Sequence, residues 1–363
     1  MSAMPVGFAT SYAQSARDFI AICGREGIDW EQYHLDLAGP AGEWLATRVA
    51  YVGPPDCQRL LILNCGTHGV EGLAGSACLL AWLADRHSSA TDEVGVLLVH
   101  FINPWGTAWR RRQTEGNVDL NRNFVDFAAP LPPNELYEEL RAALTPASIE
   151  GDGWARAQRQ IEDFRRTRGD AALAEAVFRG QYGDQAGPGF GGNQPAWSNL
   201  TFRTLVARYA GHARHVGFID FHTGLGPFAH GTLLSAEPPE SPELVMAARW
   251  YGSSVVSLKA PGRQMPYDIQ GDIASAVRQA LPRAEVVAVS LEFGTFDLDR
   301  FMDLQIRDCW LLKYGSPGSP QAERIRCALQ DFFCPPTRDW QEAIVARGTQ
   351  VIRQAIAGLA AIT

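Results

Sequence analysis

The stretch Cys65-Gly66-Thr67-His68-Gly69-Val70-Glu71-Gly72 follows the apolar run Leu60-Leu61-Ile62-Leu63 and precedes a second apolar stretch at 73–83. The first run reads as a buried strand and the second as a helix. The eight residues between them are therefore a turn at the carboxyl end of a strand. An imidazole and a carboxylate stand three residues apart in that turn. Residues i and i+3 share a face once the chain coils, so both side chains can address one point in space. Imidazole nitrogen and carboxylate oxygen are both ligands for Zn²⁺. A metal held there would point to hydrolytic chemistry.

The same pattern of apolar runs continues on both sides. Strands are expected at 44–52 (ended by Gly53-Pro54-Pro55), 60–64, 94–102 (broken by Asn103-Pro104), 216–221, 231–235 and 286–291. Helices are expected at 12–26, 73–86, 134–145, 155–179, 199–212, 241–253, 272–280 and 339–360. In the last of these Ile344, Val345, Val351, Ile352, Ile356 and Leu359 fall on one face. Strands that alternate with helices and are nearly continuous in apolar residues predict a doubly wound α/β sheet. Some strands lie too close in sequence for a crossover helix, so hairpins and a mixed sheet are expected. Residues 126–200 form a polar, helix-rich insert with a Gly-rich end, Gly187-Pro188-Gly189-Phe190-Gly191-Gly192. It reads as a cover on one catalytic domain spanning 1–363 rather than as a domain of its own.

The 363 residues are 46% hydrophobic, enough to fill a sizeable core. The 32 basic and 40 acidic side chains give a net charge of −8, against the basic footprint of a nucleic-acid binder. The seven cysteines are irregularly spaced and form no CxxC pair, so a thiolate zinc ribbon is not expected. Scattered thiols fit a reducing cytoplasm. The N-terminus shows no secretory signal pattern, and no apolar run approaches the ~20 residues that span a bilayer. The expectation is a cytoplasmic protein with no membrane partner.

A catalytic zinc needs three protein ligands and an open position for water. After His68 and Glu71, the third candidate is His222, in Ile219-Asp220-Phe221-His222-Thr223-Gly224-Leu225-Gly226, behind an apolar strand. His34, His87, His100, His212, His215 and His230 lack such a setting. Glu292 follows the last apolar strand and precedes Phe293-Gly294-Thr295; a carboxylate there is placed to act as general base. The arginine-rich stretch Trp109-Arg110-Arg111-Arg112-Gln113-Thr114-Glu115-Gly116-Asn117-Val118-Asp119-Leu120-Asn121-Arg122-Asn123-Phe124 offers forks that bind carboxylates or steady a developing oxyanion.

The ordered set His68-x-x-Glu71, Asn103-Pro104-x-Gly106, Asp119-Leu120-Asn121-Arg122-Asn123-Phe124, His222 and Glu292 resembles the zinc carboxypeptidase superfamily, including its succinylglutamate desuccinylase and aspartoacylase branch. The fuller segments, such as His-Gly-Val-Glu-Gly and Phe-His-Thr-Gly-Leu-Gly, resemble a bacterial carboxypeptidase-like branch of unassigned function. The resemblance implies a mixed, mostly parallel eight-stranded α/β/α sandwich and one Zn²⁺ on His68, Glu71 and His222. It implies Glu292 as general base, with Asn121 and Arg122 gripping the substrate's terminal carboxylate. Two arginines match the oxyanion stabiliser. Arg110 follows Trp109 as in the digestive enzymes, and Arg112 suits the shorter spacing of the desuccinylase branch; Arg112 is preferred, with Arg110 as a further substrate contact. The 126–200 insert is unusual for the digestive enzymes, and Tyr267 is the one candidate for the family's capping tyrosine.

The leading expectation is thus a zinc hydrolase of an amide bond next to a free carboxylate, a carboxypeptidase for short peptides. An N-acyl amino acid amidohydrolase of the desuccinylase type is the alternative. A metal-binding protein without turnover is a third reading. A metal-free binding module would require His68, Glu71 and His222 to lie apart.

Overall fold

The computed structural model describes residues 8–86, 93–260 and 269–362. Eight strands form one sheet: β1 (Trp30–Ala38), β2 (Trp44–Val52), β3 (Arg59–Cys65), β4 (Gly95–His100), β5 (His215–Phe228), β6 (Gly231–Ser235), β7 (Val255–Ser257) and β8 (Glu285–Gly294). Their order is β1-β2-β4-β3-β5-β8-β6-β7. β4, β3, β5 and β8 run parallel to one another. β2 joins β4 antiparallel and carries β1 as a hairpin partner. At the other edge β6 is antiparallel to β8 and parallel to β7. The sheet is mixed and mostly parallel, as the sequence predicts.

The helices are α1 (Tyr12–Glu26), α2 (Gly72–Ala84), α3 (Pro104–Trp109), α4 (Glu135–Leu144), α5 (Gly151–Arg168), α6 (Asp170–Phe178), α7 (Trp197–Ala210), α8 (Pro242–Tyr251), α9 (Ile273–Ala280), α10 (Leu298–Tyr314), α11 (Pro320–Phe333) and α12 (Arg338–Ala360). Alternate side chains of a strand point to opposite faces. Leu61 and Leu63 of β3 enter a core with Leu79, Trp340 and Ile352, whereas Leu60 and Ile62 enter another with Phe202, Leu205 and Val277. Helices cover both faces, which is why β3 and β4 show no polar alternation.

The differences from expectation have physical causes. β1 lies at a sheet edge and buries only Leu35, so it carries no apolar pattern to read. β7 has three residues. α10 shows no clear apolar period in sequence, because Gln305 and Asp308 sit on its buried face and interrupt it. α11 was likewise not expected. The single helix expected at 155–179 is two, divided at Gly169, whose φ of 88° is left-handed. The helices α4 to α6 bury Tyr137, Leu140, Phe164 and Val177 in a third cluster shared with Phe301 of α10 and Phe332 of α11.

Candidate metal centre

The turn after β3 is fixed from below. At Gly69 a Cβ would lie 2.2 Å from the Gly106 backbone, so only glycine lets the turn rest on α3. The Gly69 and Val70 amides donate to the carbonyls of Arg112 and Arg111. His68 precedes a single 3₁₀ turn, Gly69–Glu71, that swings Glu71 alongside it. β5 is the neighbour of β3 and brings His222 to the same place.

His68, Glu71 and His222 are all buried. His68 Nδ1 lies 3.0 Å from Glu71 Oε1. His222 Nδ1 lies 3.2 Å from His68 Nδ1 and 3.2 Å from Glu71 Oε2. Bonds of 2.0–2.1 Å to a tetrahedral ion would separate ligand atoms by about 3.3 Å, so the set matches in chemistry and in spacing. The other ring nitrogens sharpen this. His222 Nε2–H donates to Asp220 Oδ2 at 2.6 Å, and His68 Nε2–H donates to Asp119 Oδ1 at 3.1 Å. Both rings therefore turn an Nδ1 lone pair towards the other and towards a carboxylate, an arrangement that calls for a cation. A carboxylate behind each histidine is the usual support of a metal-ligating imidazole.

The electrostatics agree. Burial works against the charge of Glu71, but His68 and His222 outweigh it and lower its pKa to about 2. Burial also opposes a charge on Asp119, which Arg112 and His68 nevertheless hold well below the usual carboxylate range. Burial disfavours a protonated His222, yet Asp220 and Glu71 raise its pKa well above that of an ordinary histidine. Asp220 is itself held by Asn64 Nδ2 at 2.7 Å and by the Thr67 hydroxyl at 2.9 Å.

Glu292 stands directly opposite His222 in the β5–β8 register. Its Oε1 accepts the Leu225 amide at 2.9 Å. Burial and the negative Glu71 push its pKa up to about 7, against the pull of His222 and the Leu225 amide. Arg112 is buried, donates Nη1–H to Asp119, and has its Nε 3.8 Å from Glu71 Oε1. Its Nε–H has no hydrogen-bond partner among the described residues. Asn121 Oδ1 accepts the Ile273 amide at 2.9 Å. Arg122 is bonded to the carbonyls of Phe178 and Asn121. Arg112, Asn121, Arg122 and Glu292 all line one cleft with the His-Glu-His group. Arg110 does not join them. It is an αL residue capping α3, and its guanidinium reaches outward to Glu323 of α11 at 2.6 Å. Tyr267 and His87 lie outside the described residues. His100 bonds Ser76, and His215 bonds Glu285, as structural histidines do.

The cleft holds about 80 Å³, with apolar walls from Phe178, Leu234, Leu258, Ile269 and Phe301. Larger depressions, of about 540 Å³ beside α8 and α12 and about 340 Å³ beside α10 and α11, lie away from the group. Sequence reading assigned no role to Asp220 or Asp119. Asp220 is two residues from His222 on the same strand face, which is a usable signal. Asp119 carries no such signal, because it reaches His68 from a distant loop.

Since Asp119 bridges His68 and Arg112, Asp119→Asn removes the charge that fixes both. Zinc affinity is expected to fall by roughly 10–100-fold, read by competition with a chromophoric chelator. Unchanged affinity would show that His68 is oriented without it.

The sheet order and the placement of this group towards the carboxyl ends of β3, β5 and β8 define a carboxypeptidase-like α/β fold. Thrombin activatable fibrinolysis inhibitor superposes at a TM-score of 0.55 with 10% identity, over 97% of this chain and 75% of that one; the bovine protein, in complex with tick carboxypeptidase inhibitor, does so at 0.50 with 10% identity, over 96% and 97%. The chain belongs to the family DUF2817, described as protein of unknown function, whose model matches residues 8–347. A putative succinylglutamate desuccinylase / aspartoacylase family protein from Shewanella amazonensis SB2B is similar at 19% identity over 78% of this chain and 72% of that one, with a TM-score of 0.37. No curated protein matches. Among the described residues no helix is long and apolar enough to cross a membrane.

Proposed function

We propose that the protein is a zinc-dependent hydrolase of an amide bond next to a free carboxylate, acting on short peptides as a metallocarboxypeptidase. The observation that carries this is the pair of Nδ1 atoms 3.2 Å apart, each ring backed by a carboxylate, with Glu292 facing them across the β5–β8 register. One Zn²⁺ bound by His68, Glu71 and His222 would polarise the scissile carbonyl and lower the pKa of its water to about 7.

The chain's own groups supply the rest. Glu292 Oε1 is engaged by Leu225, which leaves Oε2 to take a proton from the attacking water and hand it to the leaving amine. Arg112, whose Nε–H lacks a hydrogen-bond partner among the described residues, offsets negative charge developing on the carbonyl oxygen. Arg122 and the Asn121 amide hold the substrate's carboxylate. Phe178, Leu234 and Leu258 give the adjoining side chain an apolar surround.

A second reading, an N-acyl amino acid amidohydrolase, would use the same residues. Zinc-loaded protein incubated with dipeptides, tripeptides and N-acetyl and N-succinyl amino acids separates the two. Release of a C-terminal amino acid from the peptides is the expected result. Cleavage confined to the acyl amino acids would replace the peptidase by an amidohydrolase, and no cleavage of either set would sink the proposal.

A further inference from the structure

Of residues 126–200 the chemistry above uses only the Phe178 ring, yet the end of that segment is built around one residue of the cleft. The carbonyl of Phe178, at the C-terminus of α6, accepts Arg122 Nε–H at 2.9 Å and a second bond from Nη2. The last carbonyls of a helix lack partners within it, and a cation at the helix's negative end is favourable. The Asn121 carbonyl accepts Nη1–H at 2.7 Å. A guanidinium has five N–H groups, so among the described residues one remains on each terminal nitrogen.

The contacts continue past the helix. Gly180, at a φ of 94°, lies flat on the arginine's stem: a Cβ there would stand 2.7 Å from Arg122 Cδ and 2.9 Å from Cγ. Tyr182 donates its hydroxyl to the Arg122 carbonyl at 2.7 Å. Asn134, the N-cap of α4, ties the same end down by donating to the Gly180 carbonyl at 2.9 Å.

We infer that residues 178–182 are a clamp that presents the two remaining N–H groups of Arg122 to a ligand carboxylate, so that the insert sets the affinity for the carboxylate end of the substrate. This rests on the reading of Arg122 as the carboxylate-holding residue. Gly180 and Tyr182 are positioning residues: neither touches the ligand, and both act through Arg122. The side chain is preorganised, so the ligand is spared the entropy of ordering a long, flexible arginine.

The test measures binding of N-acetyl-leucine and of N-acetyl-leucinamide to the zinc-loaded full chain by titration calorimetry. The wild type is expected to prefer the carboxylate by roughly tenfold or more, the scale of a charge-assisted pair. Gly180→Ala is expected to bring that ratio close to one, with amide binding and zinc stoichiometry unchanged. Tyr182→Phe should shift it in the same direction by several-fold. In turnover, KM for the carboxylate substrate rises in both variants and kcat stays. A wild-type preference that both variants retain overturns the clamp alone. A wild type that binds the two ligands equally overturns the carboxylate role of Arg122, and the clamp with it. If Gly180→Ala does not fold, Tyr182→Phe decides by the same ratio.

Discussion

Glu292→Gln is expected to bind zinc at the wild-type level and to lose roughly 10²–10⁴-fold in kcat/KM, the contribution of a positioned general base. Glutamine has the same shape, and its oxygen can still accept the Leu225 amide, so the cleft keeps its form. Glu292 supplies none of the three clustered ligand atoms, so metal content should not change. What is lost is the ability to take a proton. The pH profile gives the same group a second signature. Its pKa is raised from 4.5 to about 7 by burial and Glu71, and an added dication can only pull it back down. The base works deprotonated, so kcat/KM should rise with pH through a limb between those values. That limb should vanish in the variant. Turnover within tenfold of wild type, with the acid limb intact, would assign the proton transfer to another group.

Much of this site is legible in the sequence because each reactive group stands at or just beyond the apolar run of a buried strand. Apolar runs ended by a polar residue mark His68, His222 and Glu292, and the parallel order of β3, β5 and β8 brings those positions together. The strands run further than their apolar runs, however. His222 and Glu292 lie within β5 and β8, because pairing continues through Gly224 and Gly294 although glycine and proline suggest a turn. Arg110 misled for a different reason. Adjacent arginines look equivalent in sequence, but Arg110 sits in an αL cap that turns it outward to Glu323, while Arg112 folds back beneath Glu71. The supporting acids and the apolar walls were not legible, since Asp119, Phe178 and Phe301 arrive from three separate segments. Their convergence depends on packing of α6 and α10 that no local pattern encodes.

Removing a ligand tests the centre most directly. His222→Ala takes away one of three donors and the partner of a fully buried carboxylate, and the two losses have separate readouts. Zinc affinity is expected to fall by more than the 10–100-fold that a supporting residue is worth, with hydrolysis lost at ordinary zinc concentrations. The metal-free variant is also expected to be less stable than metal-free wild type. In the wild type the raised pKa of His222 lets it carry a proton between Asp220 and Glu71. Without that positive charge both acids stay buried with less compensation, although Asn64 and Thr67 still bond Asp220. Breaking a buried pair on one side costs about 3–5 kcal/mol, which urea unfolding of both chelator-treated proteins can resolve. The sign with pH follows from the direction of the shift. A raised folded-state pKa stabilises below the unfolded histidine's value and is lost as pH climbs through the folded one, so the gap between variant and wild type should be widest in mildly acidic buffer. Wild-type zinc affinity in His222→Ala would place the ion elsewhere and remove the basis for every role assigned to Glu292, Arg112 and Arg122.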